Sequence, residues 1–226
     1  MKISRSGFTI VELMISSLLF SMVIAALAAI YATAFGQSGR VFREGRTKMM
    51  ANMSMRSIMR EVAQSTRIDL PAKNSAGTQL SGCTNAKSNS TRITTAEPSI
   101  RFHFCVRATN RATGQPCDGD PDVAPCLFYY SRSVAGSCVA SDVTSASCGN
   151  NAAVMGVPQL LASGLEVGTG MPGNIYFTRM GGATHKSDED NAVRVSYKVT
   201  RPPFNNMPKL VYEVDTTASG HFGVRP

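Results

Sequence analysis

Three groups of residues in this chain have types and spacings that could do chemistry. The first is a single acid, Glu12, set five residues into an apolar run that begins at Phe8. It is the one formal charge between Phe8 and Gly39. A carboxylate costs about 2.5–3.5 kcal/mol at the centre of a membrane helix, less near an end, and is functional there by default. Its chemistry is ion pairing. The second group is six cysteines, Cys83, Cys105, Cys117, Cys126, Cys138 and Cys148, all within residues 83–148. An even number without Cys-x-x-Cys spacing fits disulfides better than zinc, and disulfides belong to an oxidising compartment outside the cytoplasm. The third group is acidic. Asp118, Asp120 and Asp122 alternate between Cys117 and Cys126, and Asp188-Glu189-Asp190 forms a second cluster. Both are weak calcium candidates. A helix-loop-helix calcium loop needs Gly at its sixth position and Glu at its twelfth, where this chain has Val123 and Tyr129. A solvated turn is the expectation for each, and no metal or cofactor is expected.

No catalytic constellation emerges. The chain has no Gly-x-Ser-x-Gly, no His-Glu-x-x-His and no phosphate-cradling glycine loop. His103 and Cys105 share one strand face, the spacing of a thiol nucleophile beside its base, but five further cysteines favour a disulfide. His185 and His221 are isolated. An enzyme is not expected. The net charge of +8 is uneven. Residues 36–67 carry Arg40, Arg43, Arg46, Lys48, Arg56, Arg60 and Arg67 against Glu44 and Glu61, while the rest of the chain beyond them is nearly neutral. DNA binding is therefore not indicated, since no broad basic surface is available.

The elements that must position these residues begin with a short basic head, residues 1–7, followed by the apolar run. At 1.5 Å per residue, Phe8–Phe35 makes about 42 Å of helix, more than the ~30 Å of a bilayer core. Ser16, Ser17, Ser21, Ala25, Ala26, Ala28, Ala29, Ala32 and Ala34 are small enough to admit close helix neighbours. A secretory signal ending at Ala32-Thr33-Ala34 and a plain single-span anchor also fit the run, but neither needs Glu12. A lipoprotein signal fails because no Cys precedes Cys83. No proline occurs before Pro71, and Met55, Ile58, Met59 and Val62 recur at i, i+3, i+4, i+7, with Phe42 and Met49 extending the stripe. The predicted helix therefore continues over 36–70, with soft points at Gly36, Gly39 and Gly45. Five methionines (Met49, Met50, Met53, Met55 and Met59) read chiefly as a spine packed on the chain's own sheet, with a promiscuous binding face as the lesser alternative. Residues 71–99 read as loop. Strands are predicted at 100–107, 127–130, 160–167, 175–180, 193–199 and 210–214 from alternating apolar residues between turn signals.

Gly7-Phe8-Thr9-Ile10-Val11-Glu12-Leu13-Met14 resembles the processing site of type IV prepilins and type II secretion pseudopilins. The resemblance implies that a prepilin peptidase cuts after Gly7, that the new amino terminus at Phe8 is methylated, and that Glu12 governs assembly. It implies an α+β, pilin-like fold: a long N-terminal helix, its first half transmembrane, packed on a mostly antiparallel β-sheet head with a disulfide-bonded insert. The parts are a leader at 1–7, a transmembrane and assembly helix at 8–35, its amphipathic continuation at 36–70, and a periplasmic or extracellular β-rich head at 71–226.

Within that family, residues 55–62 and Leu160-Leu161-Ala162-Ser163-Gly164-Leu165 are similar to PilW-type minor pilins. J-type pseudopilins are similar too. The proline that major pilins commonly carry about 22 residues into the mature chain is here Ala29, whereas six cysteines exceed the usual minor-pilin number. The implied function is structural: initiating or capping a type IV pilus that supports adhesion, twitching motility or DNA uptake. A J-type pseudopilin at a type II secretion pseudopilus tip is the alternative, and a secreted disulfide-rich domain the distant third. The implied partners are other pilins or pseudopilins through the N-terminal helix, the prepilin peptidase and an inner-membrane assembly platform. The implied location is the bacterial inner membrane, single-pass with the head in the periplasm, and then the pilus. Arg40, Arg43, Arg46 and Lys48 beyond the span outnumber Lys2 and Arg5 before it, opposite to the positive-inside rule. Among fifteen possible connectivities, neighbour pairing is the expectation: Cys83–Cys105, Cys117–Cys126 and Cys138–Cys148.

Overall fold

The computed structural model describes residues 9–84, 99–109, 114–119, 124–134, 156–181, 192–203 and 208–219. One helix, α1 (Ile10–Gln64), is followed by ten strands among the described residues: β1 (Ser65–Leu70), β2 (Ala76–Gly77), β3 (Gln79–Thr84), β4 (Ser99–Arg107), β5 (Cys126–Val134), β6 (Gln159–Ser163), β7 (Leu165–Val167), β8 (Phe177–Met180), β9 (Ala192–Arg201) and β10 (Leu210–Ser219). The architecture is the expected α+β, pilin-like one, with antiparallel pairing throughout the described ladders. The chain divides into two compact units, one up to Gly45 and one from Arg46 onward.

In the second unit the helical residues bury Thr47, Ala51, Ser54, Ile58, Glu61 and Val62, a spacing of three or four that keeps one face inward. Of the five methionines, Met50, Met55 and Met59 pack on the core. The helix stops at Gln64, six residues earlier than its predicted extent. There the Ser65 hydroxyl donates to the Val62 carbonyl at 2.7 Å. Ile68 is then buried on one face of β1, while Arg67 reaches Asp69 (Nε to Oδ1 2.7 Å).

One sheet runs β1-β3-β4-β5-β6 and the other β10-β9-β8-β2, with β7 also on β9. Their inner faces meet α1 through Leu80, Phe102, Phe104, Leu127, Phe177 and Val195. Two corrections concern β3 and the 160–167 strand. β3 falls in the segment read as loop; Leu80 is the strand's sole large aliphatic residue, so period-two alternation has nothing to show it. Residues 160–167 form two strands on different sheets, β6 on β5 and β7 on β9. Gly164 makes the switch at φ 70°, and a Cβ there would stand 2.3 Å from the Thr200 carbonyl oxygen, so no other residue fits.

Polar contacts pin α1 to both sheets. The Tyr129 hydroxyl donates to Glu61 Oε1 at 2.8 Å, and Arg60 Nη2 donates to the same oxygen at 2.9 Å. On the other sheet, the Ser54 and Tyr197 hydroxyls lie 2.6 Å apart, both buried, and Ser54 also donates to the Ala51 carbonyl at 2.9 Å. Burial pushes the Tyr197 phenol up to about 12, so it remains a donor. The two partners of this bond are therefore unequal. Tyr197→Phe leaves Ser54 bonded to Ala51 and should cost about 0.5–1.5 kcal/mol, whereas Ser54→Ala strands a buried phenol and should cost about 1–3 kcal/mol. Urea midpoints of the two variants in detergent check the order; equal losses refute it.

Candidate functional site: the N-terminal helix

The start of α1 is built by a reciprocal capping box. Thr9 Oγ1 accepts from the Glu12 backbone N–H at 3.3 Å, and Glu12 Oε2 accepts from the Thr9 N–H at 3.0 Å and from the Thr9 hydroxyl at 2.9 Å. The Thr-x-x-Glu pattern satisfies N–H groups that a helix start leaves open, and the carboxylate sits at the positive end of the macrodipole. Farther along, the hydroxyls of Ser16, Ser17, Ser21 and Thr33 donate to carbonyls three or four residues back, at 2.7–3.1 Å. The polar side chains inside the apolar stretch are thus satisfied locally, as a lipid environment demands. Its large apolar side chains, from Ile10 to Phe35, are all exposed. α1 is the one described helix long and apolar enough to cross a membrane, and its apolar window has no burial among the described residues.

Gly7 and Phe8 lie outside the described residues. The box brings Glu12 together with Thr9, a residue that the reading of isolated charges passed over; its signal was the Thr-x-x-Glu spacing itself.

The cysteine chemistry lies in the second unit. Cys117 and Cys126 form a disulfide, as expected. Cys83 and Cys105 are each disulfide-bonded, but not to each other. On adjacent strands Cys83 stands opposite Arg101 and Cys105 opposite Gln79. Four register positions separate them by about 13 Å, beyond the ~7 Å that a disulfide spans between Cα atoms. The expected Cys138–Cys148 pair lies outside the described residues. Cys105 is therefore no thiol nucleophile.

Asp118 accepts from the Ser163 hydroxyl at 2.6 Å, and Ser163 in turn accepts from Arg201 Nη2 at 2.8 Å. Arg201 Nη2 also contacts Met50 Sδ at 3.0 Å, so the disulfide turn is tied to α1. Asp120, Asp122, Asp188 and Asp190 lie outside the described residues. No group of three or more His, Cys, Asp or Glu able to hold a metal occurs among the described residues.

Residues 3–28 match a protein-family model described as the prokaryotic N-terminal methylation motif. The segment containing the capping box and most of the apolar run is thus a type IV prepilin-like methylation motif, which accords with membrane anchoring and with assembly alongside other pilins. Comparison with curated proteins and with solved structures found no match.

His103 gives this unit a pH dependence. Its ring is fully buried beside Tyr130 (centroids 6.0 Å apart), and neither nitrogen has a hydrogen-bond partner among the described residues. Burial holds its pKa down at about 4, against an ordinary 6.5. As pH falls below 6.5 the unfolded chain takes up a proton that the folded chain refuses, so stability is lost down to about pH 4 and levels off below it. The full loss is about 3 kcal/mol at 1.36 kcal/mol per pKa unit. His103→Phe should flatten the drop between pH 7 and pH 4.5 in urea melts. An unchanged slope in that variant places the acid sensitivity elsewhere.

Proposed function

We propose that the chain is a structural minor pilin that initiates or caps a type IV pilus, supporting adhesion, twitching motility or DNA uptake without catalysis of its own. The methylation motif at residues 3–28 carries this reading, because it heads a helix whose apolar surface is unburied among the described residues. The disulfide-bonded β-rich head accords with export, and Ala29 in place of the major-pilin proline supports a minor role. In this reading a prepilin peptidase cuts between Gly7 and Phe8 and Phe8 is methylated. The chain rests in the inner membrane with its head in the periplasm until an assembly platform adds it to the pilus.

Cutting there leaves a positive amino group on Phe8, one helical turn from Glu12. Neither charge is well solvated in a membrane, and a neighbouring subunit offers each an opposite. At 4 Å and an effective dielectric near 20 the attraction is about 4 kcal/mol before desolvation is subtracted. Loss of one member of a buried pair costs about 3–5 kcal/mol.

The expected mature chain begins at methylated Phe8, seven residues shorter than its precursor, as intact mass and N-terminal sequencing would show; a start at Phe35 would falsify the reading. Glu12→Ala should be cut, exported and disulfide-bonded, yet fall by orders of magnitude in sheared filaments. Glu12→Gln keeps an acceptor for the Thr9 cap without the charge. Its exclusion assigns the defect to charge, and its normal incorporation assigns it to capping.

A further inference from the structure

The two sheets end in four edges among the described residues: β1 and β6 on one, β2 and β10 on the other. An open edge is a row of main-chain donors and acceptors that another strand can extend, and proteins guard it with short strands, bulges, proline or lysine. Three of these edges are guarded. β1 and β6 have six and five residues and register shifts against their neighbours, and β2 has only two residues. β10 is neither short nor bulged. All ten of its residues pair with β9 in unbroken register, from Leu210 opposite Arg201 to Ser219 opposite Ala192, and it contains no proline, glycine or lysine. About half of the N–H and C=O groups of such a strand point away from its one partner. Among the described residues, the backbone of 210–219 makes no bond beyond β9.

The side chains of this edge select the strand that fits it. Val211, Glu213, Asp215, Thr217 and Ser219 alternate on the exposed face, while Val214 and Ala218 join the core. Glu213 accepts from the Thr169 N–H and hydroxyl, and Asp215 accepts from Arg194 on β9 (Nη2 to Oδ2 2.7 Å). These bonds hold both carboxyls below their usual range, so the edge carries two ionised acids on one face, a single strand repeat apart. A second β10 is the wrong strand for it. Directly opposite residues of an antiparallel pair share a face, and two registers keep all but one of the ten residues paired with an identical strand. One sets Glu213 against Asp215, the other Asp215 against itself. Like charges directly opposite destabilise a strand pair, whereas Lys or Arg at those positions meets the opposite sign.

We propose that β10 is a docking edge for an extended segment of a different chain, which adds to the sheet as a further strand and carries Lys or Arg opposite Glu213 and Asp215. Main-chain bonds supply the contact, and the alternating basic residues supply the selection. The edge lies wholly in the second unit and owes nothing to the N-terminal helix. Its partner is an extended peptide, not a helix, and the pilin reading can fail without touching it.

The test titrates the full-length chain, in non-ionic detergent, with a peptide of about nine residues that alternates Lys with Val. Amide hydrogen exchange follows the strands. Alternate amides of β10 should gain protection, with those of β1, β2 and β6 unchanged. The same peptide with Glu in place of Lys should bind about tenfold more weakly. N-methylation of every second peptide residue should abolish binding in one phase and spare it in the other, since only one row of peptide N–H groups faces β10. The double variant Glu213→Lys/Asp215→Lys should reverse the preference toward the Glu peptide while Cys117–Cys126 stays intact. Where that variant fails to fold, the N-methyl and Glu peptides decide alone. Indifference to peptide charge, equal effects of the two N-methyl phases, or protection away from β10 overturns the proposal. So does protection of β10 that grows with protein concentration in the absence of peptide, which makes the edge a site of self-association.

Discussion

The apolar surface of residues 10–35 is left open by the described residues of its own unit. Fifteen large apolar side chains between Ile10 and Phe35 stand half to four-fifths exposed. At about 1.5–3 kcal/mol for each side chain fully removed from water, the missing burial exceeds 20 kcal/mol in order of magnitude. A domain's entire net stability is about 5–15 kcal/mol. Water is therefore not this segment's solvent: it must lie in lipid or among other helices. The local satisfaction of Ser16, Ser17, Ser21 and Thr33 by carbonyls of the same helix fits both environments, since neither supplies water to an open hydroxyl.

The same helix answers a different constraint from Arg46 onward. There a face of Ala51, Ser54, Ile58 and Val62 is buried, and its polar members meet partners on the sheets rather than turning back on the helix. Ser54 meets Tyr197 and Glu61 meets Tyr129, so α1 is held against both sheets by bonds whose geometry admits one register. The sheet of β4 and β5 is covered on both faces. Arg101, His103 and Cys105 are buried on the side away from Phe102 and Phe104, where Cys117, Cys126, Phe128 and Tyr130 form a second cluster. A half-buried strand was the expectation from alternation, and the disulfide-bonded cluster is what changed it.

What could be read in advance follows from which physical signal each element leaves in sequence. β4, β9 and β10 alternate over nine or ten residues, and period two was plain. β1 was hidden because helical spacing up to Val62 runs without a proline into Ser65, and only the Ser65 hydroxyl contact marks the break. β6 and β7 looked like one strand because a sheet switch at Gly164 needs a single residue with positive φ. The cysteine content announced disulfides, but connectivity depends on strand register, and the four-residue offset of Cys83 and Cys105 has no local trace. At the N-terminal site the acid and the methylation pattern were legible. The role of Thr9 was not, because a capping box is a relation between two residues, and an acid taken alone spells only a charge.

Two of the three acids in α1, Glu12 and Glu61, are held in opposite ways. Glu61 is buried and takes, besides those from Arg60, a hydrogen bond from Tyr129, 68 residues away in the chain, so removing it disturbs the packing of helix on sheet. Glu12 is exposed and takes all its side-chain bonds from Thr9, three residues away. Bonds within one turn hold a carboxylate in place without committing it to a fold, and a hydrogen bond nets about 0.5–1.5 kcal/mol in its context. An ammonium brought beside Glu12 in a poorly solvating environment offers more than that. In the proposed assembly, the cap would keep the carboxylate ordered in the lone subunit and yield it to a neighbour's amino group. A carboxylate bound as tightly as Glu61 could not be exchanged in this way, and one without Thr9 would enter the membrane unsatisfied. Local satisfaction, weaker than an ion pair, is the physical condition that the proposed exchange of partners at Glu12 requires.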